Sequence, residues 1–233
     1  MLRGSLCALA LLLASDAATA DPSSSRIYLL PVGPVPALDL GAVEGALTAF
    51  YSVEIKRLRG IALPRSAYYR PRNRYRADKL LDHVESLDLP KDGRTILAVT
   101  AAPISITKGK AYDWGIIGYV SIGGEICAYS TYYVKRGLKE PARMRERIGK
   151  IAVHEFTHNL GLRHCKQRGC LMEDAQGTPL IFDRVYDFCP ACRAEIAKAG
   201  WTLKPHPVVP WPRPAKNAGP SDAYLKRIRK LWE

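Results

Sequence analysis

Between residues 154 and 164 the chain reads HEFTHNLGLRH, and no other stretch limits the possible folds as tightly. Only five histidines occur in 233 residues, and three of them, His154, His158 and His164, fall inside these eleven positions. His154 and His158 stand four apart in a helical pattern, so their rings share one face, about 5–6 Å apart at Cβ. That spacing lets two imidazoles grip one zinc ion, with Glu155 beside the open coordination position. The next helical turn cannot offer a third ligand at the required angle. Gly161 supplies the way out, because glycine ends a helix in the left-handed region without a Cβ penalty. His164 can then swing back to complete a three-histidine site.

Such a site keeps one position for water, whose pKa a catalytic zinc lowers to about 7. Glu155 is placed to take that water's proton and pass it to a leaving amine. HExxH alone is a weak signal, since its three fixed residues recur by chance. The added glycine, the third histidine and the downstream Met172 argue strongly against two incidental surface histidines.

Cysteines supply the second constraint. Cys165, Cys170, Cys189 and Cys192 form C-x4-C…C-x2-C, close to the paired spacing of zinc ribbons. Four thiolates suit a closed structural zinc that staples a short, core-poor subdomain. Two disulfides, Cys165–Cys170 and Cys189–Cys192, are the competing reading in an exported protein. Tight CxxC bridges are usually redox-active, however, and no thioredoxin-like pattern surrounds this one. Cys127, in a strand-like run, reads as a buried thiol.

The whole pattern, HExxHxxGxxHC…CxM…CxxC, resembles the archaemetzincins, zinc metallopeptidases of the metzincin clan. The resemblance is sharp over residues 145–195 and vaguer over the sheet before them. It implies a catalytic zinc on His154, His158 and His164, with Glu155 as general base. It further implies a structural zinc on Cys165, Cys170, Cys189 and Cys192, hence two zinc ions per chain, and a turn at Met172 beneath the catalytic metal. One departure stands out: Glu173 and Asp174 follow Met172, where some metzincins place a tyrosine that helps stabilise the oxyanion. Tyr186 is the next tyrosine along.

Residues 1–20, MLRGSLCALALLLASDAATA, combine Arg3, an apolar run from Leu6 to Leu13 and an A-x-A site ending at Ala20. This is the pattern of a secretory signal peptide cleaved before Asp21. The run is too short to span a bilayer permanently, so the mature protein is expected to be periplasmic or secreted, unlike much of the family. Cys7 lies in the removed segment. Residues 21–25 read as a short linker, and control by an N-terminal pro-segment is not expected.

Before the motif, strand-like runs at 26–32, 53–58, 95–100, 115–122 and 126–134 alternate with helical patterns at about 40–52 and around Leu80–Leu87. Residues 64–75 read as a basic loop, and Pro141 as the start of the active-site helix. The fold class expected is α/β: a metzincin-like mixed sheet with an active-site helix, plus a small cysteine- and zinc-bound C-terminal subdomain. The divisions are a signal peptide (1–20), an upper domain (21–162), a lower subdomain (163–200) and a proline-rich basic tail (201–233). An edge strand within 117–130 is the candidate for pairing with extended substrate, beside the plainer reading of an ordinary sheet strand.

Lys and Arg outnumber Asp and Glu by 35 to 22, a net charge of +13, with clusters at 56–76, 135–150 and in the tail. Nucleic acid is the usual partner for such a balance, but an exported chain rarely meets it and no nucleic-acid motif occurs. Anionic phospholipid, lipopolysaccharide or acidic substrate fits better, with a merely solvated face as the default. The amphipathic stretch 223–232 suits an anionic membrane surface, or a tail that packs on its own domain. His83 and His206 stand alone, without ligand spacing. The expected protein is a monomeric exported peptidase acting on a peptide or protein. The competing reading is a zinc-stabilised envelope binding protein with little or no protease activity, which would have no need of Glu155.

Overall fold

A computed structural model of the chain describes residues 26–90, 95–175 and 177–205. The expected signal peptide and linker, Cys7, His206 and the tail from 206 onward lie outside the described residues. The elements in order are β1 (Arg26–Pro31), α1 (Ala37–Phe50), β2 (Glu54–Arg57), β3 (Tyr68–Tyr69), β4 (Arg74–Arg76), α2 (Ala77–Glu85) and β5 (Thr95–Thr100). There follow β6 (Ile104–Lys108), β7 (Ala111–Ile116), β8 (Gly118–Val120), β9 (Ile126–Ser130), α3 (Pro141–Asn159) and α4 (Pro190–Lys198).

The main sheet has the order β2-β1-β5-β9-β8, parallel except for β8, which runs antiparallel to β9 at the edge. Alternation along β1 explains how both faces are covered. Ile27 and Leu29 point into the core formed with α1 and α3, whereas Tyr28 and Leu30 point into the one formed with α2. β5 is buried at every residue, as a parallel strand covered on both faces must be. Tyr129 of β9 donates its hydroxyl hydrogen to the Ile148 carbonyl at 2.8 Å, fastening α3 across the sheet. Proline at the first turn of α3 fits there because that N–H has no intrahelical partner.

A second, four-stranded sheet, β3-β4-β6-β7, stands beside the first. It replaces the loop expected at 64–75 and adds a strand, Ile104–Lys108, absent from the sequence reading. Strands of two and three residues such as β3 and β4 are too short to leave a periodic pattern. The expected strand over 115–122 is two pieces, the end of β7 and all of β8. Of the candidate substrate strand at 117–130, only β8 lies at a sheet edge, because β9 is enclosed between β5 and β8.

Part of the basic run at 135–150 is not a solvated face. Arg147 and Lys150 are 1% and 0% exposed. Arg147 forms a two-pronged ion pair with Asp183 (2.8 and 2.6 Å) and donates to the carbonyls of Val134 and Arg136. Lys150 bonds Glu146 at 2.6 Å and the Phe182 carbonyl at 2.9 Å, beneath the ring of Tyr186. These cations clamp the segment 179–186 onto the active-site helix. At the far end, Trp201 packs edge-on against Tyr51 and Phe156, while Lys204 N–H donates to the Phe50 carbonyl and Ser52 N–H to the Thr202 carbonyl.

Candidate active site and metal centres

His154 and His158 lie one turn apart near the end of α3, both buried. Each donates its Nδ1 hydrogen to a main-chain carbonyl, His154 to Leu171 at 2.7 Å and His158 to Leu162 at 2.6 Å. A carbonyl can only accept, so the Nε2 lone pair of each ring stays free. These two Nε2 atoms face each other at 3.1 Å. Burial lowers the pKa of both, that of His154 well below its usual value, so no proton bridges them at neutral pH. Two lone pairs aimed at one another repel, and a shared cation turns that repulsion into attraction. Zinc at about 2.0–2.1 Å from nitrogen sets tetrahedral edges of about 3.3–3.4 Å, close to the spacing here.

Gly161 has φ 92° and makes the turn its sequence position suggested. Beyond it the exposed His164 ring stacks on His154 at 5.3 Å and meets His158 edge-on at 4.9 Å. One nitrogen from each of the three rings lies within 4.8 Å of the others. Asp174 stands 3.8 Å from His164 Nδ1, where a carboxylate orients a ligating imidazole. The donor set fits zinc.

Glu155 lines the same cleft, half-buried against the edge strand β8. Burial pushes its carboxyl pKa up to about 8; a cation among the histidines would pull it back down. Its carboxyl rests against Gly118, in the space that a β-carbon there would take. The cleft has a volume of about 860 Å³ and runs between β8, the β6–β7 hairpin and the residues Asp174, Ala175, Gly177 and Thr178.

The four cysteines also converge. Cys165, Cys170, Cys189 and Cys192 are free thiols whose sulfurs all lie within 4.8 Å of one another, with Cys165 Sγ 3.8 Å from Cys189 Sγ. Zinc–sulfur bonds of about 2.3 Å set tetrahedral edges of about 3.8 Å. The close pair is thus not one of the two disulfides that the sequence left open. Main-chain N–H groups of Gln167, Met172 and Cys189 point at the sulfurs of Cys165 and Cys170, at 3.3 to 3.4 Å. Burial pushes the Cys170 thiol up to about 11 and Cys192 higher still, whereas Cys189 is lowered, hydrogen bonds from its cysteine neighbours outweighing its burial; four thiolates this close need a cation to share. This donor set fits zinc as well.

Three consecutive residues join the two centres. Cys170 belongs to the thiol cluster, Leu171 holds His154 through its carbonyl, and Met172 is fully buried in the core with its own carbonyl accepting from Cys165 N–H. Glu173 is committed to Arg184 and to the Gly169 N–H, both at 2.7 Å. Tyr186 cannot serve the missing tyrosine's role, because its hydroxyl bonds the Asp183 carbonyl and its ring supports Lys150. The tyrosines lining the cleft are Tyr119 and Tyr133. Gly118 and Lys150 were not singled out from sequence, although Lys150 precedes His154 by four residues and so shares its helix face. Cys127 is buried in β9, where burial raises its thiol pKa well above the usual range.

A model of peptidase family M54 matches residues 54–198. The archaemetzincin of Halobacterium salinarum is 25% identical over 178 residues, covering 73% of this chain and 99% of the relative. That of Aeropyrum pernix is 28% identical over 137 residues, 57% of this chain and 70% of its own. The crystal structure of archaemetzincin from Archaeoglobus fulgidus, complexed with malonate, is similar with a TM-score of 0.62 and 26% identity, over 73% of this chain and 99% of that one. Motif, fold and relatives agree, and the chain belongs to peptidase family M54 as an archaemetzincin-like zinc metallopeptidase.

Proposed function

We propose that this chain is an exported peptidase whose catalytic zinc is held by His154, His158 and His164 and whose general base is Glu155. The observation that carries this reading is the 3.1 Å approach of two unprotonated Nε2 atoms beside a half-buried carboxylate. When bound, zinc polarises the scissile carbonyl and acidifies a water molecule. Glu155 takes the proton of the attacking water and returns it to the leaving amine. The free side of β8 offers main-chain groups for an extended peptide, in a manner indifferent to its side chains. Tyr119 and Tyr133 supply the hydroxyls on the cleft wall.

The cysteine cluster holds a second, structural zinc that fixes Leu171 and through it His154. The mature chain begins at Asp21 and acts as a monomer outside the cytoplasm, its basic tail contacting an anionic envelope surface. Chelation tests the metal claim. Cleavage of a mixed peptide library disappears on treatment with a strong chelator and returns with added zinc; cleavage that survives complete zinc removal contradicts it.

A further inference from the structure

Lys108 and Arg163 stand on the walls of the active-site cleft, and among the described residues neither has an ion-pair partner. The buried and half-buried cations Arg74, Arg76, Lys135, Arg147 and Lys150 are each matched, with Asp113, Asp78, Asp39, Asp183 and Glu146. The two in the cleft are left facing solvent. Arg163 immediately precedes His164, so its guanidinium sits on the loop that brings the third histidine to the site. Lys108 ends β6, with its ammonium 4.9 Å from the centre of the Trp114 ring on the neighbouring strand. Trp114 is 42% exposed and Ile122 45% exposed, and both line the cleft.

The acids of the cleft do not answer these cations. Glu155 lies against β8 and Asp174 lies against His164. An incoming peptide therefore meets an apolar wall edged by two unmatched positive charges, on a protein whose net charge is +13. That arrangement attracts anions and repels cations. Arginine also offers a carboxylate two parallel N–H donors.

We propose that the cleft selects peptides carrying a carboxylate close to the bond to be cut, read by Arg163 beside the histidines and by Lys108 on the hairpin wall. The inference rests on the reading of this cleft as a peptide-binding site. The carboxylate can be an acidic side chain or the free C-terminus of the peptide.

Binding separates this from catalysis. Zinc-loaded Glu155→Ala protein is titrated with fluorescent octapeptides that differ only in carrying Glu, Gln or Lys at successive positions, each as C-terminal acid and as amide. The Glu peptides bind more tightly than the Lys peptides, roughly three- to fivefold for each cation engaged, and the gap narrows in 0.5 M salt. Arg163→Glu and Lys108→Glu, each added to that background, reverse the preference, and Arg163→Gln, which adds no acid beside His164, reduces it. A preference kept in the amides assigns the side-chain carboxylate; one confined to the acids assigns the C-terminus. Equal binding of Glu and Lys peptides in both forms overturns the proposal, as does a preference that neither reversal changes. Wild-type cleavage of the same peptides is followed in parallel: a charge-selective binder that cuts none of them contradicts the peptidase reading and leaves this inference standing.

Discussion

Gly118 of the edge strand lies directly against the carboxyl group of Glu155. A β-carbon built on Gly118 would fall inside van der Waals contact of the Glu155 carboxyl carbon and Oε2. The edge strand β8 thus also sets where the carboxylate rests. The obstructed atoms are the free end of a side chain, so an alanine can be accommodated by turning the carboxylate aside. Gly118→Ala is predicted to lower cleavage by about tenfold or more, since misplacing a catalytic group by about 1 Å can cost 10²-fold. Melting temperature and zinc content should be unchanged. A matching loss of stability would show that the glycine serves the strand instead.

Lys150 and Glu146 form an ion pair out of water, 2.6 Å apart, with side chains 0% and 4% exposed. Removing Lys150 leaves the buried Glu146 carboxylate with only the more exposed Arg143, 3.0 Å away, to answer its charge. Lys150→Ala is predicted to cost about 3–5 kcal/mol in urea unfolding. Replacing both, with Lys150→Met and Glu146→Leu, should recover most of that loss. Failure of the double variant to recover would locate the stabilisation in the bond from Lys150 to the Phe182 carbonyl.

The cysteine centre is predicted to act on the histidine centre through Leu171. Cys189→Ser should reduce zinc from two atoms per chain to one by elemental analysis and lower the melting temperature. Cleavage should also fall, because the carbonyl that holds His154 loses its anchor. Zinc content of two with normal melting would remove the structural role.

Export predicts a mature protein beginning at Asp21. Intact-mass analysis of protein recovered from the envelope or medium should show residues 1–20 absent, and the four clustered thiols should resist alkylation until zinc is chelated. Retention of the first twenty residues would contradict the export claim.

The histidine and cysteine centres were legible because each depends on short spacings along one stretch of chain. His154 and His158 share a helix face by periodicity alone, and Gly161 announces the turn. The parallel strands β1 and β5 were legible for a similar reason, since both are continuous apolar runs. The features that sequence does not carry depend on contacts between distant segments. Nothing in the immediate sequence around Gly118 says that Glu155, 37 residues later, will occupy its side-chain space. Lys150 and Arg147 look like surface cations until Asp183 and the Phe182 carbonyl, more than thirty residues on, arrive to receive them. The small sheet was hidden by the brevity of β3 and β4, although Ile104 and Ile106, followed by Lys108-Gly109-Lys110, carried a hairpin signal.

Hydrolysis of a diverse peptide library by the mature chain, wild type against Glu155→Ala with zinc content measured in both, tests the assignment of the catalytic base most directly. The wild type should generate new peptide termini, and the variant none above the zinc-free background, with equal zinc and an unchanged melting temperature. Equal cleavage by the two proteins would remove Glu155 from the chemistry. No cleavage by either, with both folded and zinc-loaded, would favour a zinc-stabilised binding protein over a peptidase.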